Sequence, residues 1–100
     1  MADTLQKFQE LPPYTTDRSV GCELPIWSGK VTVPAIGSDI HVRINGIGKC
    51  QVVAYATYEG YLGVMAWPYN PPEWWVKQNG APGPDNAGLV FGAEISAMEA

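Results

Sequence analysis

The stretch Asp39–Trp67, DIHVRINGIGKCQVVAYATYEGYLGVMAW, constrains the fold more than any other part of the chain. It holds three β-rich apolar runs separated by two glycine turns. In the first run Ile40, Val42 and Ile44 alternate with Asp39, His41, Arg43 and Asn45, the period of a strand with one buried face. Asn45-Gly46 then signals a hairpin. A two-residue turn would set Val42 opposite Lys49 and Ile40 opposite Gln51, polar side chains against apolar ones. A three-residue loop, Asn45-Gly46-Ile47, pairs Ile44 with Gly48, Val42 with Cys50 and Ile40 with Val52. The longer loop with a bulge is therefore expected, Gly46 and Gly48 supplying positive φ.

The second and third runs are apolar on both faces. Cys50, Val52, Ala54 and Ala56 fall on one side, with Val53, Tyr55 and Thr57 on the other. After Glu59-Gly60, Leu62, Val64 and Ala66 alternate with Tyr61, Gly63, Met65 and Trp67. A two-residue turn pairs Tyr58 with Tyr61, whereas a three-residue turn sets Leu62 and Val64 opposite Tyr58 and Ala56; the pattern fits both. Two apolar faces are expected of a strand that bends to serve both sheets of a small barrel, or whose outer face meets another subunit.

The flanks are shorter elements. Asp3-Thr4-Leu5-Gln6 fits a capping box and predicts a helix to about Glu10, within an N-terminal segment of residues 1–13 ended by Pro12-Pro13. Residues 14–37 form an extended arm in which Leu24, Ile26, Trp27, Val31 and Val33 are too apolar for a free linker. The three-strand core of residues 38–67 precedes an insertion, residues 68–88. There Asn70 can cap, Pro71 suits the first helical position and Gly80 can close the end, predicting a two-turn helix; Trp74-Trp75-Val76 is also compatible with a strand. Leu89-Val90-Phe91, a bend at Gly92 and Ala93-Glu94-Ile95 read as the last two strands, residues 89–96.

A chain of 100 residues makes one domain that buries about 60–70% of its unfolded surface. The formal charge is −4 with only six basic residues, none adjacent, which weighs against attachment to a phosphate backbone by charge alone. No apolar run approaches the ~20 residues of a membrane span and the polar start MADTLQKFQE is unlike a signal peptide, so a cytoplasmic protein off the membrane is expected. Cys22 and Cys50 are then packed, reduced thiols; with the single His41 they are too few for zinc, and no metal or cofactor is expected. His41 shares a polar strand face with Asp39 and Arg43 and reads as part of a solvated charge cluster. No nucleophile elbow, phosphate loop or metal-ligand spacing is present, and a non-enzymatic role follows.

Two groups of residues are candidate surfaces. Trp67, Tyr69, Trp74 and Trp75 suit packing, a protein interface or stacking on single-stranded bases. Arg43, Lys49 and Gln51 lie on the solvent faces of paired strands, and with Tyr58, Tyr61 and Lys77 they are candidate nucleic-acid contacts. Copies in a ring would concentrate that positive strip around an axis.

The order of helix, arm, three long strands, insertion and two short strands resembles the Sm-like members of the SH3-like barrels. Gly46 to Gly63 follow the glycine pattern of that family's first motif, and Val90-Phe91-Gly92-Ala93-Glu94-Ile95 its second, with Phe91 where the family has arginine. The family's Asp and Met-Asn loop residues have no counterpart in Thr57–Tyr61, so its RNA-base contacts do not carry over residue by residue. The combination VRINGIG, LGV, NPPEWWVKQNG and VFGAEI is similar to divergent Sm-like proteins of marine cyanophage and ocean metagenomes. That resemblance implies a five-stranded barrel in a homo-oligomeric ring, working in the host cytoplasm with single-stranded nucleic acid or another phage protein as partner. The ring would close through an edge formed by Leu89, Val90, Phe91, Ala93 and Ile95, around turns at Asn45, Gly46, Gly48, Gly60 and Gly92.

Overall fold

A long hairpin is the frame on which every other strand is laid. The computed structural model describes residues 5–16 and 24–98. In chain order its elements are β1 (Gln6–Phe8), β2 (Ile26–Trp27), β3 (Asp39–Val42), β4 (Gly48–Tyr58), β5 (Tyr61–Pro68), α1 (Glu73–Asn79), β6 (Gly88–Phe91), a 3-10 turn (Gly92–Glu94) and β7 (Ile95–Met98). β4 and β5 join through Glu59 (φ 50°) and Gly60 (φ 82°), so the turn is the two-residue one, with Tyr58 opposite Tyr61. Two positive-φ residues twist in the same sense as the strands they connect.

The pairing slips once within that hairpin. Ala54 faces Met65, yet Val52 faces Ala66, leaving Val53 as an extra residue on β4. The bulge reverses which residues face inward. Cys50 and Val52 enter the main core before it and Tyr55 after it, while Ala54, Ala56 and Met65 form a second cluster with Val53, Ala87 and Leu89. The uniform alternation expected along β4 is thus corrected: the apolar residues on both faces are covered within the chain.

The first turn also departs from expectation. Ile47 N–H donates to the Ile44 carbonyl at 2.8 Å across Asn45 (φ 38°) and Gly46 (φ 84°), a two-residue turn. Even so, Val42 lies opposite Gly48 (φ 72°) and Ile40 opposite Cys50. Arg43 is the extra residue, and its N–H donates to the Glu94 carbonyl at 2.9 Å instead of to β4. The register is therefore two residues from the expected Ile40–Val52 pairing, on the same face of β4.

The sheet is open. Its main path is β2-β5-β4-β3-β7, with β1 on β4 and β6 on β5. β5 shares its far edge between β2, parallel at Tyr61–Leu62, and β6, antiparallel at Gly63–Ala66. β4 does the same with β3 and β1. Among the described residues no strand pairs with the outer edge of β6 or β7.

Three further expectations are revised. Gln6–Phe8 is a strand opposite Thr57, Ala56 and Tyr55 instead of a helix, because the free edge of β4 satisfies its backbone and Phe8 packs on the core; Asp3 and Thr4 of the capping box lie outside the described residues. Ala93 and Glu94 belong to the 3-10 turn, not to a strand: Glu94 Oε1 accepts the Phe91 N–H at 2.9 Å and folds the chain back, so β7 starts at Ile95. The helix of the insertion is present, but Pro72 stands at its N-cap without a side-chain cap bond, and Gly80 (φ 88°) closes it.

The arm packs on the domain. Trp27, 3% exposed, sits in the core with its indole N–H donating to the Val31 carbonyl at 2.7 Å. Tyr55 O–H donates to the Pro34 carbonyl at 2.9 Å, and the Gly37 N–H to the Val52 carbonyl at 2.7 Å. Gly92 is required by this packing and not by its φ: a Cβ there would overlap the Ser28 carbonyl oxygen and lie 2.7 Å from the Trp27 ring.

Candidate interaction surfaces at the two ends of β5

Cross-strand register assembles the first surface. Asp39 lies opposite Gln51, and Gln51 opposite Trp67, so three strands place one side chain each in a row. Were Val53 paired in the ladder and not bulged, Gln51 would face Pro68. Trp67 donates its indole N–H to Gln51 Oε1 at 3.2 Å. Its ring meets Tyr69 edge to face, 4.9 Å between centroids, an arrangement that favours aromatic pairs. Tyr69 donates its hydroxyl to Asp39 Oδ1, and Lys49 sits 3.7 Å from Asp39 Oδ2 and 5.8 Å from the centre of the Tyr69 ring. The hydrogen bond to Asp39, then burial and the carboxylate charge, hold the Tyr69 phenol above its ordinary pKa.

Two groups that the sequence presents separately, Lys49 with Gln51 and Trp67 with Tyr69, thus form one patch, with Asp39 as the member sequence reasoning missed. The signal was available in the register: Asp39 faces Gln51 only when Ile40 faces Cys50. The result is a charge-balanced aromatic surface on which Tyr69 remains 43% exposed.

The opposite end of β5 builds the second surface. Tyr58 and Tyr61 flank the hairpin turn, and Phe91 packs edge to face on Tyr61 with centroids 6.0 Å apart. With Ser28, Glu59, Ala93 and Glu94 they line a cleft of about 400 Å3. Two carboxylates face this cleft, and among the described residues neither is in an ion pair.

The remaining predicted site residues are elsewhere. Arg43 donates to the Ala93 carbonyl at 2.6 Å, and Lys77 lies 3.8 Å from Glu73 along α1. Trp75 is a core residue, 4% exposed, and Trp74 packs on the core with its indole N–H on the Asn45 carbonyl. Of the predicted edge residues, Val90 and Ile95 are buried in the core and Leu89 packs on the second cluster, leaving the backbone as the feature of that edge. His41 is exposed, while Asp39 and Arg43 turn to the partners given above. Burial raises the Cys50 thiol from 9.0 to about 12; Cys22 lies outside the described residues. No group of three or more His, Cys, Asp or Glu among the described residues could hold a metal ion, and no helix among them is long and apolar enough to cross a membrane.

Comparison with family models, with curated proteins and with solved structures found no match.

Proposed function

We propose that the protein is a non-enzymatic binding module that docks another protein through the Trp67–Tyr69 patch. One observation carries this: the cations that would have formed a phosphate-binding strip are each engaged inside the chain, Lys49 with Asp39, Arg43 with the Ala93 carbonyl and Lys77 with Glu73. The aromatic patch has the composition of an interface centre, with Trp and Tyr held in place by cross-strand hydrogen bonds. The resemblance to cyanophage proteins supports a phage protein as the partner, in the host cytoplasm.

A second reading, an Sm-like ring that binds single-stranded nucleic acid, is favoured by the strand path β6-β5-β4-β3-β7 and the 3-10 turn between β6 and β7. The outer edges of those two strands, which no strand among the described residues pairs, suit pairing between copies.

Titration of labelled oligo-U and oligo-dT at moderate salt, together with light scattering and retention of partner proteins from a host lysate, separates the two. The docking reading expects no salt-dependent oligonucleotide binding, and retained proteins that are lost with Trp67→Ala plus Tyr69→Ala. Micromolar oligonucleotide binding by a ring, weakened by Lys49→Gln, would replace it with the second reading.

A further inference from the structure

The arm crosses the 3-10 turn at contact distance, and a positively charged cleft lies beside the crossing. A Cβ on Gly29 would stand 2.7 Å from the Gly92 carbonyl oxygen, as one on Gly92 would overlap Ser28, so the two turns interlock through glycines. The Ala93 N–H donates to the Ser28 hydroxyl at 3.1 Å and pins the crossing. Lys30 follows directly along the arm, and Arg43 comes to the same cleft from the end of β3. Arg43 is aimed there because it is the extra residue between β3 and β4, and bulged residues re-aim their side chains. Its N–H donates to the Glu94 carbonyl at 2.9 Å and its guanidinium to the Ala93 carbonyl at 2.6 Å.

The cleft holds about 430 Å3, and Val31 and Ile95, both packed on the core, give it apolar walls. No acidic residue among the described ones lines it, and neither Lys30 nor Arg43 is in an ion pair among them. One guanidinium bond to Ala93 fixes the group and leaves its other N–H donors for an acceptor. The nearby carbonyls that would repel an anion are already engaged, Val31 by the Trp27 indole and Ala93 by Arg43.

We infer that this cleft binds a carboxylate on a short apolar stem, either a free aliphatic acid or the C-terminal residue of a polypeptide. Arg43 and Lys30 pair with the charge, and Val31 and Ile95 contact the stem. The setting disfavours a nucleic-acid backbone, which is held by many cations in series, whereas Lys49 and Lys77 are matched with carboxylates of the chain. The site shares no residue with the Trp67–Tyr69 patch and does not depend on that patch being an interface.

The test is an NMR titration that follows the methyl resonances of Val31 and Ile95 and the amides of Lys30 and Ala93. The probes are hexanoate, hexanol, a short Gly/Ser peptide ending in leucine with a free carboxylate, the same peptide amidated, and oligo-dT. Hexanoate is expected to shift these signals saturably, and hexanol and the amidated peptide to leave them in place. The free-carboxylate peptide distinguishes the source: binding tighter than hexanoate assigns the site to a polypeptide C-terminus, and weaker binding to a free acid. Lys30→Gln with Arg43→Gln should weaken hexanoate about tenfold, the loss of two exposed ion pairs. Lys30→Gln alone, at an exposed side chain, should weaken it about threefold and keeps the test valid should the loss of Arg43 disturb the fold. Equal shifts with hexanol, shifts with oligo-dT in place of the carboxylates, affinity unchanged in Lys30→Gln, or no shift at millimolar hexanoate would overturn the inference.

Discussion

Both ends of β5 carry aromatic side chains beside carboxylates, and they differ in how the charge is met. At the Trp67 end Asp39 has Lys49 of β4 and the hydroxyl of Tyr69, just past β5, as partners. At the Tyr61 end Glu94 holds a backbone N–H and Glu59 stands exposed, with no cation from the described residues in an ion pair with either. A patch whose charges are satisfied internally is ordered before a partner arrives and loses little side-chain freedom on docking. A cleft whose carboxylates are in no ion pair among the described residues carries a net local sign, and sign governs which partners a surface admits.

The contrast can be broken most severely by removing the support of the cleft. Trp27→Ala empties a core site directly beneath the 3-10 turn and should cost about 4 kcal/mol in urea unfolding, a large share of a small domain's stability. A smaller loss is expected at the β4–β5 turn beside the cleft. Gly60→Val places a β-branched residue at φ 82° and should destabilise by about 2 kcal/mol, read as a lower urea midpoint, without shifting the Trp67 and Tyr69 resonances.

Alkaline pH probes the Trp67 end, where Cys50 lies opposite Pro68. The thiol titrates at about 12 when folded and at 9.0 when unfolded. Its stabilising effect is complete below the lower value and declines as pH rises toward the upper one, by about 1.4 kcal/mol per pH unit at most. Denaturant midpoints compared with Cys50→Ala above pH 9.0 should show the extra slope only in the parent. The smallest effect belongs to Asp39→Asn. It should cost about 0.5 kcal/mol, as for other exposed pairs, while the Tyr69 phenol falls toward its ordinary pKa in an ultraviolet titration. A loss as large as that at Gly60 would mean the balanced patch is a structural element and not a surface poised for docking.

The three long runs, the packed arm and α1 were legible because alternation, apolar content and the glycine at 80 are local signals. The register was not. Arg43 becomes the extra residue because the Glu94 carbonyl, far along the chain, takes its N–H, and no pattern within Asp39–Gly48 contains that partner. The two-residue error this produced moved Asp39 away from Gln51 and concealed the patch. Likewise Gln6–Phe8 has short-range helix signals that the free edge of β4 overrides. The chain does bend at Gly92, in the 3-10 turn, but the reason for a glycine there is the space that Ser28 and Trp27 occupy, a contact formed only on folding. At the candidate sites, residue type was informative and grouping was not: Trp67 and Tyr69 stood out by composition, but so did Trp75, which is core.

The extra residue at Val53 bears on how related chains could differ in length. A relative lacking this one position would keep Val52 with Ala66 and Ala54 with Met65, and would lose only local twist. Removing a residue between Gly48 and Gln51 instead would displace the row that holds Asp39, Gln51 and Trp67. Within β4, single-residue deletions are therefore expected to be admitted at Val53 and excluded at the Trp67 end, which makes strand length itself a marker of whether a relative retains the patch.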